Sequence, residues 1–493
     1  MKKFLLIFTF ISFTFDVYCQ NDTIAGVENQ NDTISIVKKK RKKDKDIIKK
    51  GISFGPLPVI AYDQDKGFQF GALLNIYDFG DGSYYPHPKQ QWYIEASAYT
   101  KGTQQYFFTY DTKHLIPNIR MSVASTVMYD KMMDFYGFNG YQAVYQADSV
   151  NFWRKAQKDA KKGKYAIDIP FEYTAPFYRM ERLAVTAKAD FVGKIIKNKF
   201  FWQASYAFAW YRYTPINKFY KKDDKKGHKK DDPIYEGNTE TLYEKYINWG
   251  IIPKLDSKKG AFSSALRLGL MYDTRNFEAA PSSGIWAEGH ITIAPKFMGN
   301  TQQYFRYMLI FRHYVPIVKE QLTFAYRINY QGTIGKTLPF YIMPVFSTIG
   351  REFDRDGIGG YRTIRGIMRD RLQGLDVGYV NAELRWKFVK FHLWKQNVAL
   401  GLNAFFDGGI VTRGYDVSFK VPETDPNYSV MKQDYDKYFN SKYSGNFKGF
   451  HAAAGGGFRI IINQNFIIAV DYAYPLNKQD GKGSLYVNTG YLF

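Results

Sequence analysis

Hydrophobic and polar residues alternate along most of this chain in short runs, each closed by a turn signal. In 466–474, one face carries Phe466, Ile468, Val470, Tyr472 and Tyr474, and the other Ile467, Ala469, Asp471 and Ala473. In 265–273, Leu266, Leu268, Leu270 and Tyr272 oppose Arg267, Gly269 and Asp273. A period of two is that of a strand, which sends successive side chains to opposite faces of a sheet. Strands are predicted to begin near Gly55, Gly67, Gln91, Gln104 and Asn118. Further strands are predicted near 177–192, 199–213, 262–273, 284–294, 303–314 and 321–332. The last five are placed near 377–391, 397–407, 448–462, 466–474 and 484–493. The total is about sixteen, an even number, and runs of roughly ten residues suit a tilted strand crossing a hydrocarbon layer.

The connections sort by parity. Long ones fall at about 129–176, 214–261, 333–376 and 408–447, after the fifth, seventh, eleventh and thirteenth strands, while 114–117, 316–319 and 463–465 are short. From a periplasmic N-terminus, connections after odd strands face outward and run longer. The expected fold is therefore all-β, a transmembrane antiparallel barrel over 51–493, integral to a bacterial outer membrane.

Composition agrees. Mean hydropathy is −0.39 and aromatics make up 18% of the chain, and beyond the N-terminus no run nears the roughly 18 apolar residues of a spanning helix. A barrel evades that test because lipid-facing and lumen-facing residues alternate. Lys2 and Lys3, the apolar stretch 4–15 and Val17-Tyr18-Cys19 before Gln20 read as a cleaved signal peptide over 1–19. Asp16-Val17-Tyr18 lacks the context of a lipidation signal at Cys19, the only cysteine.

The net charge of +22 is clustered. The segment 20–50 is expected to be periplasmic and ends in a dense basic run from Lys38, which reads either as a solvated linker or as a contact for anionic lipid or cell-wall polymer. Export excludes nucleic acid as its partner. The clusters 154–164 and 218–230 lie in outward connections, where lipopolysaccharide phosphates are the expected contacts. Outer-membrane lipid is the solvent of the barrel wall.

The connection after the eleventh strand is rich in glycine: Ile349-Gly350-Arg351-Glu352-Phe353, then Ile358-Gly359-Gly360-Tyr361-Arg362-Thr363-Ile364-Arg365-Gly366-Ile367. Its Ile364-Arg365-Gly366-Ile367 core resembles the [VI]RG[FY] motif of the BamA/TamA superfamily, the bacterial surface antigen barrels that include two-partner secretion transporters; Ile367 departs from the usual aromatic. Asp273-Thr274-Arg275 with Pro281-Ser282-Ser283-Gly284 resembles that family's DxR…PxxG turn. Asn381-Ala382-Glu383-Leu384-Arg385 resembles its strand-twelve segment, and Phe405-Phe406-Asp407-Gly408-Gly409 its FxDxG segment. The resemblance is clear over 262–493 and rests on pattern before that.

The resemblance implies an external loop folded back into the barrel and locked there by an arginine. Carried over, Arg365, beside Gly366, pairs with Asp407 and Glu383 in the strand segments, with Phe405 in the matching motif place. Tyr491 and Phe493, on the face of Leu485, Val487 and Thr489, resemble the C-terminal signal by which the assembly machinery recognises such barrels. Family members that assemble or secrete proteins carry periplasmic POTRA domains that bind the client. The roughly thirty residues before the first strand are too few for one.

No G-x-S-x-G elbow, H-E-x-x-H motif or cysteine pair occurs, and the histidines show no ligand spacing. No enzyme, metal or cofactor is expected, although a triad spread over neighbouring strands leaves no local trace. The resemblance implies assistance to insertion or translocation of a protein client through a weak seam between first and last strands, with Gly490 near it. The alternative is a passive pore or structural barrel.

Overall fold

The computed structural model describes residues 50–63, 66–83, 88–163, 169–196, 199–216, 240–278, 280–350, 354–393, 396–439, 449–462 and 466–493. The expected signal at 1–19, the basic segment up to residue 49 and the cluster 218–230 lie outside them.

Sixteen antiparallel strands close into one barrel. It opens with β1 (Ile52–Asp63), β2 (Gly67–Asp78), β3 (Gln90–Tyr99), β4 (Thr103–Ile116), β5 (Ile119–Asp134), β6 (Arg179–Ile196) and β7 (Phe200–Pro215). The wall continues through β8 (Ala261–Asp273), β9 (Gly284–Ala294), β10 (Tyr304–Val318) and β11 (Leu322–Ile334). Two short strands, β12 (Val345–Phe346) and β13 (Arg355–Asp356), pair with each other in the next connection and take no part in the wall. Then β14 (Asp376–Leu393), β15 (Gln396–Arg413), β16 (His451–Ile462), β17 (Phe466–Pro475) and β18 (Ser484–Thr489) complete the circuit, and β18 returns to β1.

Alternation explains both faces. In β10, Tyr304, Arg306, Met308, Ile310, Arg312 and Tyr314 are buried inside, while Phe305, Tyr307, Leu309 and Phe311 alternate with them toward lipid. An outward apolar face meets hydrocarbon, and away from the junction of β1 with β18 each strand satisfies its backbone through two neighbours, the condition for crossing a bilayer. No helix among the described residues is long and apolar enough to cross a membrane, which says nothing against strands that do.

The long connections carry helices that alternation did not predict: α1 (Ala147–Gly163) before β6, α2 (Leu242–Asn248) before β8 and α3 (Tyr428–Phe439) before β16. They build an aromatic cap at the long-loop end. Trp249 packs on Tyr438 at 5.4 Å and Phe135 on Tyr246 at 5.3 Å between ring centroids, and such pairs add to the area they bury. Thr241 and Glu244 start α2 with a capping box, each satisfying the other's backbone N–H.

The last strand was expected to run to Phe493, but it ends at Thr489, and Gly490 takes φ +85°. Tyr491 and Phe493 therefore do not continue the outward face. The chain turns into the lumen, where Phe493 is buried with Tyr314 and Ala325.

Candidate functional site

The connection from β11 to β14 folds into the barrel. Thr363, Ile364, Arg365, Gly366 and Ile367 are all buried. The loop closes on itself through Gly360 N–H to the Ile367 carbonyl at 2.8 Å, and Gly359 N–H to the Thr363 hydroxyl at 2.9 Å. Gly366 has φ +87°, and a Cβ there would stand 3.0 Å from Ala473 Cβ and 3.2 Å from Ala453 Cβ. The loop thus sits on a wall of small residues, and only glycine meets both the backbone angle and the clearance.

Arg365 is fully buried at the centre. Its Nε donates to Asp407 Oδ2 at 2.8 Å and its Nη2 to Asp407 Oδ1 at 3.1 Å, a two-pronged contact. Nη2 also lies 2.7 Å from Glu383 Oε1, and Nη1 lies 3.3 Å from Asp471 Oδ2. The guanidinium faces the Phe405 ring, and the Arg365 backbone N–H reaches Asp407 Oδ2 at 3.1 Å. The planar fork of arginine suits this geometry, as a point charge would not.

Two further arginines balance the acids. Arg385 Nε donates to Glu383 Oε2 at 2.7 Å, and Arg459 Nη1 donates to Asp471 Oδ1 at 2.7 Å. Arg365, Arg385 and Arg459 thus face Glu383, Asp407 and Asp471, so the buried network is neutral. Without that balance, isolated ions in this setting would each cost several kcal/mol, on the order set by desolvation.

The same connection is tied to the opposite wall. Asp354 takes a double contact from Arg267 of β8, at 2.9 and 2.6 Å. Lys188 of β6 donates to the Thr348 carbonyl at 3.1 Å, and Arg369 donates to Asp130 of β5 at 2.6 Å. The loop therefore bridges the lumen and fills it with packed protein.

Of the residues singled out in the sequence, Arg365, Gly366, Glu383, Asp407 and Phe405 come together here. Tyr491 and Phe493 adjoin the network at its edge through Arg385: its Cζ is 4.2 Å from the Tyr491 ring centroid, and its Nη2 donates to the Phe493 main-chain oxygen at 2.8 Å. Asp471, Arg459 and Tyr486, whose hydroxyl accepts from Gly366 N–H at 3.1 Å, were not anticipated. Their signal was present: Asp471 is an acid on the inward face of an otherwise apolar strand.

The wall is weakest where it closes. Among the described residues, β1 pairs with β18 only at Tyr62–Val487 and Asp63–Tyr486. On its other side β1 pairs with β2 along its whole 12-residue length. The stretch from Ile52 to Ala61 has no partner in β18.

One arrangement in the lumen has the outline of a nucleophilic triad. His290 Nε2 lies 2.8 Å from Ser347 Oγ, and His290 Nδ1 lies 3.3 Å from Glu288 Oε1. An acyl-transfer site also needs N–H donors aimed at an oxyanion. Here Ser347 N–H donates to Gln331 and Thr348 N–H to Asp354, so the nearest donors hold the loop in place. The cluster serves as another anchor.

The family model described as the Omp85 superfamily domain matches residues 151–493, well over half of the chain. Among solved structures, BamA from Haemophilus ducreyi lacking POTRA domains 1–3 superposes with a TM-score of 0.50 at 14% identity, covering 90% of this chain and 71% of that one. CdiB from Escherichia coli gives 0.49 at 10% identity, covering 90% and 64%. CdiB from Acinetobacter baumannii gives 0.44 at 11%, covering 90% and 60%. At such identity the likeness to BamA is one of fold. No curated protein sequence matches the chain.

Proposed function

The chain belongs to the Omp85 superfamily, and we propose that it handles polypeptide at the outer membrane, assisting the insertion or translocation of a protein client at the seam between β1 and β18. The observation that carries this reading is the seam itself, joined among the described residues at two pairs, with no partner there for the β1 edge from Ile52 to Ala61. An open strand edge is a template on which another strand forms. The lock around Arg365 supports the same reading. It fixes β14, β15, β17 and, through the Tyr486 hydroxyl, β18 to the loop, so one side of the seam is held while β1 meets it at two pairs.

A wide passive pore fits less well, because the bridging loop occupies the lumen; a purely structural barrel is the remaining alternative. The barrel acts without enzymatic chemistry. Arg154, Lys155, Lys158 and Lys162 are exposed on α1 at the long-loop end, and lipopolysaccharide phosphates are their proposed contacts. The barrel assembly machinery is the proposed partner during biogenesis, with Tyr491 and Phe493 as its recognition signal. A buried pocket suits that signal only before the tail docks, so recognition precedes folding.

The test is a disulfide across the seam. Continuing the observed register by one position would set residues 61 and 488 opposite each other, so a disulfide between Ala61→Cys and Asn488→Cys holds the seam closed. The expected result is that the oxidised protein reproduces the outer-membrane proteome of a deletion strain, and that reductant restores it. Loss of many barrels indicates assembly, and loss of one partner a dedicated transporter. An oxidised protein that supports a normal proteome, together with steady conductance in planar bilayers, would overturn the reading.

A further inference from the structure

The free edge of β1 contains two prolines, and their positions are not neutral. Gly51 donates its N–H to the Gly80 carbonyl and accepts from Phe79 N–H, so it faces the β2 side. Hydrogen-bonding direction alternates along an antiparallel strand. With β1 and β2 in unbroken register, odd-numbered residues from 53 to 63 turn their backbone groups toward β2. Even-numbered residues from 52 to 62 turn theirs toward the seam. Tyr62, paired with Val487, agrees with this phase. Pro56 and Pro58 are both even.

Proline has no N–H, so it is excluded from a paired ladder and tolerated on an edge. The seam-facing donors of β1 are therefore Ile52, Phe54, Ile60 and Tyr62, with a gap of two in the middle. If β18 continued in the register set by Tyr62–Val487, Tyr491 would stand opposite Pro58 and Phe493 opposite Pro56. Both of their carbonyls would then point at positions with no donor. The chain leaves the ladder at Gly490, one residue before the first such position, and turns inward at φ +85°. The Phe493 carbonyl, which Pro56 has no donor to satisfy, accepts from Arg385 Nη2 at 2.8 Å instead.

We infer that Pro56 and Pro58 hold the seam unzipped by deleting the donors that 491 and 493 require, and that Arg385 is the positioning residue that keeps 490–493 in the lumen. The edge of β1 is thereby kept from its own chain. Read with the function proposed above, on which this consequence rests, it offers an incoming strand donors only at its ends, at Ile52 and Phe54 and at Ile60. In the middle of that strand β1 donates no hydrogen bond, and only the Pro56 and Pro58 carbonyls are left to accept one. Such an edge holds a strand weakly and releases it readily, whereas a full ladder holds it fast.

The test uses the purified full-length barrel with no client, so its outcome is independent of whether the seam serves insertion. Leu57→Cys and Leu492→Cys, opposite each other in the continued register, form a disulfide only when the seam is zipped. Cys19 is the only other cysteine in the sequence. With the prolines present the disulfide is expected to be scarce. In Pro56→Val with Pro58→Val its yield is expected to rise about ten-fold or more, the effect of one or two recovered hydrogen bonds. Arg385→Met with the prolines intact is expected to free the tail, seen as faster hydrogen exchange at 491–493, without raising the disulfide. Pro58→Val alone provides the same reading in a gentler variant, and heat-modifiable gel mobility verifies folding in each. An unchanged yield on proline replacement would overturn the inference, as would abundant disulfide with both prolines present.

Discussion

The guanidinium carbon of Arg365 lies 3.5 Å from the centroid of the Phe405 ring, which clamps the loop's charge between an aromatic face and three carboxylates. Cation–π contact in a desolvated site is worth about 2 kcal/mol, and removing one partner of a buried ion pair costs about 3–5 kcal/mol. Arg365→Ala is expected to lower barrel abundance and abolish heat-resistant mobility on unboiled gels. Arg365→Lys keeps the charge but loses the fork and the stacking, and is expected to fall between. Wild-type mobility for the alanine variant would show that the network does not hold the loop.

Gly366 tests the seat on which the lock rests. A side chain at φ +87° strains the backbone by about 1–2 kcal/mol, and its Cβ would press on Ala453 and Ala473. Gly366→Ala is expected to loosen the loop while leaving every charge of the network in place. Native-state hydrogen exchange should show faster exchange at Gly360, whose N–H bonds to Ile367. Unchanged exchange there would mean that the wall yields.

The strands were legible because the membrane imposes one rule on all of them, alternation over about ten residues. The helices of the cap were not, since nothing constrains an outward connection to a single period. α2 nonetheless bore a local sign in Thr241 and Glu244, three residues apart. At the site, Arg365, Glu383 and Asp407 were legible from motif resemblance. Asp471 is 106 residues from Arg365 in sequence, so only closure of the barrel brings it near. The end of β18 misled for a physical reason. Alternation continues through Tyr491 and Phe493, but pairing is a property of two strands, and the obstacle is on β1.

The anchor on the far wall is separable from the lock. Asp354 binds Arg267 through two charge-assisted contacts and accepts from Thr348 N–H at 3.0 Å. Bonds of this kind contribute roughly 1.5–3 kcal/mol each. Asp354→Asn is expected to speed exchange at Thr348 with little change at Arg365, because distant sites without shared partners act independently. Equal loosening at both would show that the loop moves as one rigid unit.

The cap should loosen in acid, and one carboxylate is the reason. Burial alone would raise the pKa of Glu172, but hydrogen bonding and charge from Lys437, with further hydrogen bonds from Tyr438 and Tyr173, hold it below its ordinary value of 4.5. Glu172 Oε2 accepts from Lys437 Nζ at 2.7 Å and from the Tyr438 hydroxyl at 3.1 Å, which ties α3 to the turn at Phe171–Tyr173. A carboxylate with a depressed folded pKa contributes stability that is complete above its unfolded value and is lost as pH falls through the folded one. The contact should therefore be intact from neutral pH down to about 5 and fail below 4.5. Its contribution is below about 1 kcal/mol, because Lys437 stands largely in water. Trp249, packed on Tyr438, is the reporter: its emission is expected to change only below pH 4.5, and Glu172→Gln should show the altered emission already at neutral pH. A transition centred above pH 5, or one that survives in Glu172→Gln, would assign the acid response to another group.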